Sequence, residues 1–270
     1  MQPSGHMDSF SRDNLPPPDS WPDLLLDGFD YPDRLNIGVE LTDSMVEKGF
    51  GDYTALIGNG RRRTYKELTD WTNKLARAMV ENLGVKPGNR VLIRSANNPA
   101  MVACWLAATK AGAVVVNTMP MLRAKELSAI VDKAQISHAI CDTRLMDEMT
   151  ACAKSSQYLK SVVGFDGTSN HDAELDRLAL EKPVQFQSVD TAIDDVALLG
   201  FTSGTTGSIH TDGGLGVAGT AFVAGAATVG GASQFNSTVT VGVNDTGYDV
   251  QFFGATSGAH MLWDESADDL

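Results

Sequence analysis

Val196-Ala197-Leu198-Leu199-Gly200-Phe201-Thr202-Ser203-Gly204-Thr205-Thr206-Gly207-Ser208 is where this chain changes character. A mostly apolar, strand-like run ends in hydroxyls and glycines. Glycine lets a backbone approach an anion closely and turn successive N–H groups toward it, and Thr and Ser hydroxyls add further donors. A loop of this kind behind a strand suits the phosphates of a nucleotide. It lacks the G-x-x-x-x-G-K-[ST] spacing, so it is not a Walker loop. The same composition also serves as a flexible linker, and the segments before it decide between the two.

Working backward, the pattern is regular from Asn36. Thr54-Ala55-Leu56-Ile57 and Arg63-Thr64-Tyr65 flank Asn59-Gly60, two residues that tolerate positive φ, which predicts a hairpin. Thr64 and Glu67 have capping-box spacing, and Leu68, Trp71, Leu75, Met79, Val80 and Leu83 follow at helical spacing up to Gly84. Strands are predicted at 90–94, 113–117, 137–141, 162–165 and 196–201, and helices at 99–111, 123–134, 144–153 and 172–180. Strands alternating with helices imply βαβ units and a mostly parallel sheet, and such sheets bind ligands beyond the carboxyl ends of their strands. The loop follows the last of these strands. The fold class is therefore α/β, a partial, mostly parallel sheet with flanking helices. Upstream, residues 1–36 carry Pro16-Pro17-Pro18, Pro22 and Pro32 around Trp21 and Leu24-Leu25-Leu26, which reads as an irregular arm docking through its apolar residues.

Downstream of Ser208 the helical period vanishes. No Lys or Arg occurs beyond Lys182, and residues 209–270 hold eleven glycines. Thr238 to Val243 alternates at period two, and Tyr248 to Ala255 and His260 to Trp263 continue as strands about the turn Thr256-Ser257-Gly258. A small Gly-rich antiparallel meander is predicted, marginal alone and stabilised by homo-oligomerisation.

Net charge is −13, and the seven acids of residues 209–270 carry more than half of it. An acidic chain repels phosphate backbones, which argues against nucleic acid as partner. Arg61-Arg62-Arg63 reads as a solvated hairpin edge. Cys104, Cys141 and Cys152 are too far apart for a zinc or disulfide framework. With no apolar signal core and no membrane-length run, a cytoplasmic, soluble protein with reduced thiols is expected. Asp166 and Asp172 read as solvated linker acids, and His138 as a satisfied core histidine.

Thr-Ser-Gly-Thr-Thr-Gly-Ser at 202–208 closely resembles the phosphate-binding signature of the adenylate-forming superfamily of acyl-CoA synthetases, luciferases and peptide-synthetase adenylation domains. Thr64-Tyr65-Lys66-Glu67-Leu68, Gly84-Val85-Lys86-Pro87-Gly88-Asn89-Arg90-Val91, Ala111 to Thr118 and Arg123-Ala124-Lys125-Glu126-Leu127 are similar to its amino-terminal landmarks. The Trp21-Pro22-Asp23 to Arg34-Leu35-Asn36 arm has the flavour of benzoate– and 2-aminobenzoate–CoA ligases. The resemblance implies ATP-dependent adenylation of a small carboxylic, aromatic acid, then transfer to coenzyme A. Thr202, Ser203, Gly204, Thr205, Thr206 and Gly207 would bind the ATP β- and γ-phosphates with Mg2+ nearby. No catalytic side chain and no metal ligand is assigned.

The chain also departs from that family. Pro-Lys normally follows the loop, and Ile209-His210 stands here; a mostly neutral imidazole is a poor substitute for that cation. The Tyr-Gly-x-Thr-Glu segment and the carboxyl-terminal lysine have no counterpart. Asp245-Thr246-Gly247-Tyr248-Asp249 reads as a β-turn rather than the family's ribose-binding Thr-Gly-Asp. The expectation is a truncated adenylate-forming domain over 1–208, inactive by itself, and an unrelated β tail over 209–270. That tail resembles phage virion or tail-fibre modules. Two alternatives stand beside this: a structural or adhesive protein, and two unrelated reading frames joined near Ser208 with no physiological function.

Overall fold

A computed structural model describes residues 3–17, 19, 28, 30–168, 172–201, 233–234, 236–241 and 248–264. Residues 202–207, Trp21, Leu24-Leu25-Leu26, His210 and Asp245-Thr246-Gly247 lie outside the described residues. The chain divides into two compact units, Met1–His210 and Thr211–Leu270.

In the first unit, short helices α1 (Phe10–Asp13), α2 (Ile37–Glu40) and α3 (Asp43–Met45) precede the hairpin β1 (Thr54–Gly58) and β2 (Arg61–Thr64). Asn59 and Gly60 both have positive φ, as the turn requires. Then α4 (Tyr65–Glu81), β3 (Arg90–Arg94), α5 (Pro99–Lys110), β4 (Val114–Thr118), α6 (Ala124–Ala134), β5 (His138–Asp142), α7 (Met146–Ser155), β6 (Ser161–Phe165) and α8 (Glu174–Leu180) alternate as predicted. The capping box forms: Glu67 N–H donates to Thr64 Oγ1 at 3.2 Å, and Thr64 N–H donates to Glu67 Oε2 at 2.8 Å. Asn98 caps α5 by accepting from Met101 N–H at 2.9 Å, and Pro99 sits at the helix start, where it needs no partner for a missing N–H.

The four strands β4-β3-β5-β6 form one sheet, and every pair is parallel. Alternation along β3 sorts the core into two layers. Val91 and Ile93 face Leu75, Met79, Ala103 and Ala107 of α4 and α5. Leu92 faces Leu127, Val131, Met149 and Cys152 of α6 and α7. The result is a three-layer helix–sheet–helix stack, which buries both faces as a parallel sheet requires. All three cysteines are free and buried, and burial pushes the Cys141 thiol up to about 12.

Four expectations need correction. Residues 196–201 are not a strand: a single parallel bridge joins Leu198 to Val115, and Leu198 stays 48% exposed. Arg63 is buried, its guanidinium 4.7 Å from the Trp71 ring centroid, while Arg61 and Arg62 stay exposed. Asp166 is also buried; it accepts from Thr168 N–H and Oγ1, and its own N–H donates to buried Asp176. The described residues of the tail hold two antiparallel strands, β7 (Val250–Phe253) and β8 (His260–Trp263), and the described part of the expected first strand is not one. Among its other described residues, 238–241 are irregular and Val239 and Val241 are exposed, so their alternation has no buried face to serve. His138, in contrast, is the satisfied core histidine expected, hydrogen-bonded to Ser137 Oγ at 2.8 Å and the Leu83 carbonyl oxygen at 3.0 Å.

Candidate functional site

The approach to the Thr/Ser/Gly loop is the segment 190–201. Val115 N–H donates to the Ala197 carbonyl at 3.0 Å and Leu199 N–H to the Val115 carbonyl at 2.9 Å. The bridge is parallel, so the segment runs along the outer edge of β4 toward the carboxyl end of the sheet. Partly buried Leu199 and Phe201 pack against the α6–α7 core layer. The site residues predicted from sequence, Thr202, Ser203, Gly204, Thr205, Thr206 and Gly207, begin immediately after Phe201 and are not among the described residues.

Most of what holds 190–195 is polar and comes from the amino-terminal arm. Asp195, its side chain 2% exposed, pairs with Arg12 Nη2 at 2.8 Å. It also accepts from Gly5 N–H and Ala192 N–H, each at 2.8 Å, and from the Ser4 hydroxyl. Burial opposes its ionisation, but the Ser4, Gly5 and Ala192 donors more than offset this and hold the carboxyl below the usual carboxylate range. Arg34 pairs with Asp190 at 3.0 Å, and Leu35 N–H donates to the Thr191 carbonyl at 3.0 Å. Farther along, Arg90 pairs with Asp8 at 2.6 Å and lies over the Phe10 ring. The described part of the arm docks through ion pairs and backbone groups; Trp21 and Leu24-Leu25-Leu26, the apolar residues expected to dock it, lie outside the described residues. Sequence periodicity carries no signal for such contacts, which join residues almost the whole unit apart.

The sheet has a second place where a ligand would be sought. Strand order reverses between β3 and β5, and doubly wound sheets bind ligands in that crevice. Here the crevice is filled by the protein itself. The fully buried Asp142 carboxylate takes Arg144 Nε at 2.9 Å, Arg144 Nη2 at 2.6 Å and Arg144 N–H at 3.1 Å. Gly167 packs so closely that a Cβ would run into Asp142, Arg144 and Asn98. A carboxylate already bound to these donors leaves no welcome for an anion.

Residues 45–208 match the profile of the AMP-binding enzyme family. The chain belongs to that family. Among curated relatives, the uncharacterized acyl–CoA ligase YtcI of Bacillus subtilis is 30% identical over 173 residues, spanning 60% of this chain and 32% of that protein. The 3-hydroxybenzoate–CoA ligase of Aromatoleum sp. is 27% identical over 173 residues, 64% of this chain and 33% of that protein. This chain thus spans about a third of the length of the curated relatives it matches. Among solved structures, the anthranilate CoA ligase AuaEII in complex with anthranoyl-AMP superposes with a TM-score of 0.59 at 20% identity, covering 66% of this chain and 33% of that one. That likeness establishes the shared fold: the parallel sheet and its helices are those of adenylate-forming enzymes. No group of three His, Cys, Asp or Glu able to hold a metal occurs among the described residues. No helix among them is long and apolar enough to cross a membrane.

Proposed function

We propose that residues 1–208 are the phosphate-gripping part of an adenylate-forming acid–CoA ligase, and that 209–270 form a separate domain. Thr202, Ser203, Gly204, Thr205, Thr206 and Gly207 donate to the ATP β- and γ-phosphates. The observation that carries this reading is the parallel Leu198–Val115 bridge, which directs the chain toward the ligand-binding end of the sheet just before those residues. The donor set fits polyphosphate, since it offers hydroxyls and glycine N–H groups and no competing acid. Magnesium fits if bound mainly through phosphate oxygens and water, as it commonly is, without a dedicated protein cage. ATP supplies the leaving pyrophosphate, and coenzyme A the acceptor thiol. The acid is a small carboxylate of aromatic type, which the hydroxybenzoate relative supports.

The chain binds ATP·Mg2+ but does not complete adenylation, because Ile209-His210 stands where the resemblance expects a phosphate-facing cation. Such loops act by positioning and by stabilising charge as it develops, and a missing cation removes much of the second. Calorimetric titration with ATP·Mg2+ and carboxylate-dependent exchange of labelled pyrophosphate into ATP test the two halves. Binding without exchange is expected. Absence of binding overturns the phosphate-loop reading, and measurable exchange overturns the inactivity.

For residues 209–270 one observation favours self-association with a second copy. The β7–β8 hairpin leaves Tyr248, Phe252, Phe253 and Met261 exposed, Phe253 at 79%, and a lone two-stranded sheet is marginal in water. Light scattering should show concentration-dependent oligomers that a Phe252→Ser/Phe253→Ser variant loses; a monomer at all concentrations sinks this.

A further inference from the structure

The Asp195 cluster has a consequence for the segment that precedes the loop. Residues 190–199 make one bridge with the sheet, at Val115, whereas strands inside a sheet are held along their whole length. Leu199 also packs against the α6–α7 layer, but the polar anchoring of 190–195 comes mainly from the amino-terminal arm. Arg12 reaches both Asp194, at 3.3 Å, and Asp195, at 2.8 Å. Gly5 lies so close to the segment that a Cβ there would meet the Asp190 carbonyl oxygen at 2.5 Å and the Thr191 Cα at 3.0 Å. Thr191 Oγ1 donates to the Leu35 carbonyl at 2.7 Å, and Ile193 N–H donates to the Asp33 carbonyl at 2.9 Å. Apolar packing does not replace these bonds: a cavity of about 170 Å³, lined by His6, Ile37, Ala113, Ile193 and Val196 among others, lies between the arm and the segment. The arm itself is fastened to the start of β3 through Asp8–Arg90 and through Met7 and Asp8 N–H groups donating to the Pro87 carbonyl, each at 3.0 Å.

We propose that the amino-terminal arm is a positioning device for the loop-bearing segment: Ser4, Gly5 and Arg12, acting through the buried Asp195 carboxylate, set where residues 190–199 lie against β4. Residues 4–12 thereby fix a segment some 190 positions later, the one that leads into the Thr/Ser/Gly residues. None of them touches nucleotide; they are positioning residues. The consequence for ATP rests on the phosphate-loop reading above, but the hold on the segment does not.

The test uses the full chain and Arg12→Ala, Arg12→Lys and Ser4→Ala. Hydrogen exchange is read at the Ile193 and Leu199 amides, with β5 amides as the internal reference, and ATP·Mg2+ affinity is titrated in parallel. Loss of a charge-assisted hydrogen bond in Arg12→Ala should speed exchange at Ile193 and Leu199 by about tenfold or more relative to β5. It should weaken ATP·Mg2+ binding by about tenfold. Arg12→Lys should recover most of both effects, which a general loss of packing would not allow, and Ser4→Ala, too small a change to unfold the chain, should show a milder version. Unchanged exchange at Ile193 and Leu199 overturns the proposal. So does faster exchange in a chain whose nucleotide affinity stays the same, since the contact would then be structural only. If the unmodified chain binds no nucleotide, the phosphate-loop reading fails separately, and the exchange result alone decides whether the arm holds the segment.

Discussion

Asp8, Asp142 and Asp195 share one electrostatic design. Burial raises each carboxyl, and hydrogen bonds from Arg90, Arg144 and Ser4 respectively more than compensate, so all three titrate below their ordinary 3.8. A carboxyl depressed in the folded state contributes stability above its unfolded value and loses that contribution as pH falls through the folded one. The first unit should therefore hold its stability down to about pH 4 and then lose it steeply. Circular dichroism along an acid titration reads this directly, and Asp195→Asn should flatten the acid limb by removing one of the three groups. A second prediction concerns Gly167. Its neighbours Asp142, Arg144 and Asn98 leave no room for a methyl group, and Asp142 cannot retreat because it is fully buried. Gly167→Ala should cost about 1–3 kcal/mol, lowering Tm by about 3–10 °C in a thermal melt. An unchanged Tm would mean that the crevice between β3 and β5 is looser than its hydrogen bonds indicate.

Among the elements, α4 shows how local chemistry and tertiary packing agree. The reciprocal Thr64–Glu67 bonds satisfy two amides at its start, and Leu68, Leu75 and Met79 bury one face. Thr64→Ala should cost about 1 kcal/mol, or about 3 °C in Tm, whereas Thr64→Ser keeps the acceptor and should cost far less. Elements of this kind were legible in the sequence because their signals are short-range: turn residues, caps and periodic burial. The misreadings have the opposite origin. Residues 196–201 are apolar as a strand is, but apolarity reports burial, not pairing, and the partners of 190–195 turned out to be arm residues. Arg63 follows two exposed arginines, and alternation puts it on the face of exposed Arg61, so only its contact with Trp71 marks it as inward. In the tail, the described residues 238–241 alternate at period two in sequence yet are irregular and exposed.

For the whole molecule, the α/β class, the order of its strands and helices and the family were readable from residues 54–208, and the chain belongs to the family that those residues resemble. The candidate site was readable only as a type of loop. Its supporting arm was not, because a bond such as Ser4–Asp195 spans 191 positions and leaves no periodic trace. One feature of the core reaches into practice. Cys104, Cys141 and Cys152 are all buried in the first unit, and burial drives the Cys104 thiol well above its ordinary value, so thiolate, the reactive form, is scarce as well as shielded. The second unit has no cysteine. Alkylation by iodoacetamide should therefore proceed only when the first unit opens, with the three sites modified together and faster under mild urea. Rapid labelling of any one site in buffer would show that its helix or strand breathes alone. The thiols thus serve as a chemical clock for the first unit, blind to everything that happens in the tail.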